Sequence, residues 1–194
     1  MALNIIAFGA NLGLTARSNA NRIQRAARDV GILPTDMSRL YRTPAFPPGS
    51  GPDYVNAVGL LRTAVPPSAV LARLHAVETR HGRRRDVRWG ARLLDLDLLA
   101  VDGLIRPDPP RLRQWIDLPA EEQIRALPDR LVLPHPRLQD RAFVLVPLCD
   151  VAPSWRHPLT GRTAQAMRDG LPAAESAAVR PLLGLSNHRL RIRS

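Results

Sequence analysis

The chain has 194 residues and 45% apolar content, enough to bury one core and too much for a disordered polymer. It carries 28 basic against 17 acidic residues, a formal net charge of +11, and every basic residue is arginine. With no lysine there is no Schiff-base amine and no P-loop lysine, so any phosphate chemistry must rest on arginine forks, metal ions or backbone N–H groups.

Such a charge suits an anionic partner, either nucleic acid or a polyphosphate. No apolar run reaches the length of a membrane span, so no membrane association is expected. The opening MALNIIAFGANLGL lacks a basic region and an Ala-x-Ala site, and reads as a first strand rather than a signal peptide. The single cysteine, Cys149, lies in apolar LVPLCDVAP. It reads as a small buried hydrophobe and fits a reducing, cytoplasmic setting.

LNIIAFG predicts a strand ending at Gly9-Ala10-Asn11, and residues 18–30 a helix with Ser18 as its cap. MSRLYRT alternates until Pro44, and residues 46–53 form a turn-rich loop. Tyr54 to Thr63 predicts a long strand. PPSAVLARLHAVETRHG predicts a helix opened by proline and closed at Gly82, with Val70, Leu71, Leu74 and Val77 on one face. The strand LLDLDLL follows a charged loop. Residues 104–129 are broken by prolines and read as an insertion, with a short helix at AEEQIRAL. AFVLVPLCDVA is a short helix or a strand, GRTAQAM a last helical turn, and the chain from about 170 a loosely ordered tail. Strand, helix, two strands, helix, strand is the split βαβ order of a ferredoxin-like sheet with helices on one face. The expected division is one domain over 1–168 and a C-terminal tail over 169–194.

Asp95 and Asp97 carry the chemistry of RWGARLLDLDLL. Residues two apart on a strand share a face, so Leu94, Leu96 and Leu98 point into the helices and the two carboxylates point the other way, side by side. Carboxylates this close repel unless a cation lies between them, and magnesium accepts one or two while keeping water and phosphate oxygens. The competing reading is a solvated polar face. Upstream, Arg83, Arg84, Arg85, Arg88 and Arg92 outnumber the acids around them. That excess suits a loop closing on a phosphate chain, or simply a solvated basic loop. His135, between prolines, is either a phosphate donor or an ordinary loop histidine. Asn56, inside an apolar strand, is either a core hydrogen-bond post or a ligand reader. Tyr54 and Phe143 are core residues or walls for a flat ring.

SRLYRTPAF, PDYVNA, RWGARLLDLDLL and LPHPRLQDRAFVLVPL, in this order, resemble the motifs of the 6-hydroxymethyl-7,8-dihydropterin pyrophosphokinases of folate biosynthesis. The resemblance runs from about residue 3 to 160. It implies an α+β ferredoxin-like sandwich, with a mainly antiparallel sheet and helices packed on it. It also implies transfer of the pyrophosphoryl unit of ATP to the pterin hydroxymethyl group, with release of AMP. By this resemblance Asp95 and Asp97 hold two Mg2+ ions, and Arg83, Arg84, Arg85 and Arg92 are catalytic. Glu78, His75, Trp89, Leu98, Arg130, His135 and Arg141 match positions that bind ATP, the co-substrate. Thr43, Pro44, Ala45, Tyr54, Asn56 and Phe143 match positions that bind the pterin. The expected enzyme is a cytoplasmic monomer without nucleic-acid partners.

Departures from the family pattern fall at Ala10, His75, Val132 and Pro136, and bear on nucleotide contacts rather than on the metal pair. Two other classes compete. An RNA-binding module would need stacked aromatics in a K/R-G-F/Y-type motif, which is absent here. A pterin- or nucleotide-binding paralogue without the activity would form no AMP.

Overall fold

The computed structural model describes residues 1–45, 51–82, 93–119, 122 and 128–183. The arginine-loop positions Arg83, Arg84, Arg85, Trp89 and Arg92 lie outside these, as does all of AEEQIRAL except Glu122.

The first half follows the hydrophobic periodicity. Strand β1 (Ala2–Ala10) leads to helix α1 (Ala16–Val30), strands β2 (Tyr41–Thr43) and β3 (Tyr54–Thr63), helix α2 (Pro67–Arg80) and strand β4 (Asp95–Val101). Helix α1 starts earlier than Ser18. Thr15 is the N-cap, its hydroxyl accepting the Ser18 N–H at 3.1 Å while the Ser18 hydroxyl accepts the Thr15 N–H at 3.1 Å. Ser18 thus closes a reciprocal capping box instead of capping alone. Gly31 ends the helix at φ 89°, in the left-handed region that glycine tolerates.

The strands form one antiparallel sheet in the order β4-β1-β3-β2, with a fifth strand outside β2. On one face, Ile23, Ala26, Ala27 and Val30 of α1 and Val70, Leu74 and Val77 of α2 pack with Leu94, Leu96 and Leu98. Leu94, Leu96 and Leu98 therefore face the helices, as the strand alternation predicts.

Contrary to the expectation of helices on one face, the other face is covered too. Helix α4 (Ala142–Val151) lays Val144, Leu145 and Leu148 against Ile5, Val58 and Leu99. AFVLVPLCDVA is ambiguous in sequence because the element is apolar nearly all round, so neither period stands out. A bulge explains a second local departure: Ile6 pairs Leu98 but Ile5 pairs Ala100. The unpaired Leu99 shifts the alternation, and Leu99 and Ala100 both enter the second core.

The prolines of the insertion do not break it throughout. Pro109 and Pro110 occupy the first turn of α3 (Pro109–Asp117), where their missing N–H groups cost nothing, and Asp108 caps the helix by accepting the Arg111 N–H at 2.9 Å. Nor is the chain beyond 170 structureless. After α5 (Ala164–Asp169) come α6 (Ala173–Ala178) and β5 (Arg180–Pro181), which joins the sheet.

His157 is fully buried in the turn before α5. Its Nδ1 accepts the Leu159 N–H at 3.3 Å, and its Nε2 has no partner among the described residues. Burial holds the imidazole below its ordinary 6.5. The unfolded chain therefore takes up this proton first: the stability contribution is complete above about pH 6.5 and declines as the pH falls below it. The unfolding free energy from urea titration should fall between about pH 7.5 and pH 5, by at most about 1.4 kcal/mol per pH unit from this one group. His157→Gln should flatten that fall, and identical pH slopes in the two proteins would refute the assignment.

Candidate active site

As an edge strand, β4 has backbone groups that must find partners away from β1. Two neighbours supply them. The Leu96 N–H donates to Oε1 of the buried Glu78 on α2 at 2.9 Å, and the Leu99 carbonyl accepts the His135 N–H at 2.7 Å. Between these anchors, half-buried Asp95 and Asp97 project from the face opposite Leu96 and Leu98.

At one level of the sheet, Tyr41, Asn56, Gly9 and Asp95 stand side by side on four strands. Asn56 and Asp95 are two strand spacings apart, roughly 10 Å. Gly9 keeps the floor between them open: a Cβ there would lie 3.2 Å from Asn56 Oδ1 and 4.0 Å from Asp95 Cβ. The Asn56 amide is buried, and its Nδ2 donates to Thr43 Oγ1 at 2.6 Å, which leaves Oδ1 over Gly9.

The segment after the insertion brings basic groups to the carboxylates. Burial pushes the His135 imidazole down to about 3, and the nearby Arg141 charge pushes the same way against the pull of Asp95. The ring is therefore neutral at pH 7, and its Nδ1 accepts the Arg137 N–H at 3.1 Å. That bond assigns the ring proton to Nε2, making it a donor. Burial also lowers the Arg141 guanidinium from its ordinary range, opposed chiefly by Asp97 and then by Asp95. It stays charged at neutral pH. Arg141 stacks over the Phe143 ring at 5.5 Å, and Phe143 is 39% exposed. Arg141 is also the N-cap residue of α4, an end that no side chain caps. The backbone dipole at such an end favours an anion. The turn is braced by Arg137 Nε on Asp140 Oδ2 at 3.0 Å.

The structure thus gathers Asp95, Asp97, His135, Arg141, Phe143, Asn56 and Thr43 on one face. Half-buried Tyr54 stands opposite Thr43 in the β2–β3 ladder, Ala45 is buried and Pro44 exposed. His75 lies on α2 one turn before Glu78, whereas Leu98 points into the core on the opposite face from Asp95 and Asp97. Arg130 instead lines a cleft of about 490 Å³ with Pro67, Leu104, Arg106 and Leu131. Sequence reasoning missed two positions. Gly9 could have been suspected, since a glycine ending an apolar strand often marks close approach. The Arg137 backbone amide, which sets the His135 tautomer, has no signal in its side-chain type.

No third His, Cys, Asp or Glu joins Asp95 and Asp97 in a metal-holding group among the described residues. Two adjacent carboxylates with oxygen donors alone fit magnesium, which draws its other ligands from water and phosphate.

Residues 5–153 match the model of the family described as 7,8-dihydro-6-hydroxymethylpterin-pyrophosphokinase. The chain belongs to this family. Among relatives, the Synechocystis 2-amino-4-hydroxy-6-hydroxymethyldihydropteridine pyrophosphokinase is 35% identical over 159 residues, 82% of this chain and 71% of that protein. The Pseudomonas aeruginosa protein of the same name is 37% identical over 157 residues, 79% of this chain and 82% of that one. The fold also matches a solved Plasmodium falciparum HPPK-DHPS triple mutant at a TM-score of 0.60 and 14% identity. That alignment covers 87% of this chain and 44% of the solved one. The family assignment agrees with the element order and with the α+β sheet architecture expected from the motifs.

Proposed function

We propose that this pyrophosphokinase transfers the pyrophosphoryl group of ATP to the hydroxymethyl group of 6-hydroxymethyl-7,8-dihydropterin, releasing AMP, in folate biosynthesis. One observation carries the reading: Asn56 and the Asp95–Asp97 pair share a sheet face across Gly9, with Arg141 and His135 beside the carboxylates. This arrangement provides a reader for a polar flat ring at one end and cation- and phosphate-binding groups at the other.

The roles follow from the side chains. The Asn56 amide, oriented by Thr43, reads the polar edge of the pterin, while Tyr54 and Phe143 flank its ring. Arg141 and the Nε2–H of His135 bind phosphate oxygens, and the uncapped α4 N-terminus adds its backbone N–H groups. Asp95 and Asp97 hold two Mg2+ ions, which when bound neutralise phosphate charge and align donor with acceptor. Glu78 and His75 border the nucleotide, together with Trp89 and Arg130, and Leu98 supports them from the core. Arg83, Arg84, Arg85 and Arg92 neutralise charge developing in transfer. A cytoplasmic monomer belongs to the same proposal; no helix among the described residues is long and apolar enough to cross a membrane.

The deciding assay incubates the protein with ATP, Mg2+ and the hydroxymethyl dihydropterin. AMP and the pyrophosphorylated pterin should appear together, each dependent on the pterin. A folded protein that forms no AMP would refute the proposal.

A further inference from the structure

The family match ends at residue 153, but the chain beyond it is built into the sheet. After α4, the Trp155 indole N–H donates to the Asp102 carbonyl at 3.2 Å, tying the segment to the turn beyond β4. The chain then crosses to the other edge through α5 and α6. There Arg180 pairs with Arg42 and Pro181 with Tyr41, and the Leu182 N–H donates to the Leu40 carbonyl at 2.8 Å. Val179 is buried in a cluster with Tyr41 and Ala142, closed by Val146 and Leu171. Leu182 packs against the main core.

The strand so covered, β2, is three residues long, and without β5 it would be a short edge with few ladder bonds. Yet its two inward side chains both carry load. The Tyr41 hydroxyl donates to Asp150 Oδ2 at 2.8 Å, in a network that Arg39 completes with Nη2 on Oδ1 at 2.7 Å. Thr43 Oγ1 receives the Asn56 Nδ2–H and so determines which end of that amide faces Gly9.

We infer that residues 179–182 are a positioning strap for the pterin side of the site. By burying Val179 on Tyr41 and pairing with β2, the strap holds Thr43 where it orients the Asn56 amide. Val179 and Leu182 act through these residues and not on substrate. The inference rests on the reading of Asn56 as the pterin reader, and it separates the two substrates. Asp95 and Asp97 lie on β4, with β1 and β3 between it and β2, and His135 is bonded to that same strand, whereas Arg141 adjoins Ala142 of the strap's own cluster. A damaged strap therefore weakens pterin binding more than nucleotide binding.

The test uses full-length Val179→Asp, Leu182→Pro and Val179→Ile. Binding of the pterin and of a non-hydrolysable ATP analogue is measured by calorimetry, with KM for each substrate, kcat and Tm. In Val179→Asp and Leu182→Pro the pterin Kd and KM should rise about tenfold, the loss expected for one misaligned hydrogen bond. The analogue Kd should change by clearly less than the pterin Kd, and Val179→Ile should match the native protein. Unchanged pterin affinity in a folded strap variant, or equal loss of both affinities, overturns the inference. If Val179→Asp does not fold, Leu182→Pro, which removes the edge hydrogen bond and the leucine packed behind it, decides alone. Asn56→Ala separates the two levels. If it leaves pterin affinity intact, the reading of Asn56 fails; if it weakens the pterin while the strap variants do not, only the strap fails.

Discussion

Replacing Asp95 or Asp97 with alanine is expected to abolish AMP formation while leaving the chain folded. Both carboxylates are half-buried side by side on one face of an edge strand. Removing one opens no cavity but leaves the desolvated Arg141 with one nearby carboxylate fewer, so Tm should fall only modestly and the chain should stay folded. The catalytic loss is of a different order. Charge neutralisation by bound cations is worth several kcal/mol in phosphoryl-type transfer, on the order of 10³-fold or more in rate. The check is kcat/KM with Tm on the same samples. Turnover at the native rate in either variant would remove that residue from the metal pair.

Arg141→Ala should cost about 10²-fold or more in kcat/KM, and Arg141→Lys should recover little of it. Arg141 is charged, largely desolvated, stacked on Phe143 and set beside Asp97 and Asp95. A lysine could restore the charge but neither the planar stack nor the fork that grips two phosphate oxygens. Arg141→Ala also leaves the carboxylates without their nearby cation, so stability without Mg2+ should fall more than stability with it. Thermal melts with and without Mg2+ read this difference. Activity within about threefold of native in Arg141→Ala would rule out a direct phosphate contact.

Most of the sheet was legible from the sequence because its strands are either alternating or bounded by sharp stops. LNIIAFG and YVNAVGLL fell where β1 and β3 lie, and LLDLDLL separated its leucine and aspartate faces by pleat alone. What sequence could not show arises from packing. α4 lacks a polar face because core surrounds it, so its period is silent. The Leu99 bulge is a property of pairing with β1, and no side chain in DLDLLAV announces it. The site divides the same way. Side-chain chemistry pointed to Asp95, Asp97, His135 and Asn56, and the family resemblance added Arg141. Backbone and space, as in the Arg137 amide or the open Gly9, became visible only with the strands in register. The C-terminal segment misled for a simpler reason: scattered proline and alanine hide a pairing that needs only two residues of β5.

The row from Tyr41 through Asn56 and Gly9 to Asp95 makes the sheet a measuring device. The spacing between ring reader and carboxylate is counted in strands and is independent of the loops that join them. Loops and insertions, such as residues 104–129, can lengthen without altering that span. Deleting one residue inside β1 would instead turn Gly9 to the other face and put a side chain between the two half-sites. The two half-sites stand at their working distance only once β1 joins β3 to β4. Activity should therefore return in refolding only with closure of the central strand.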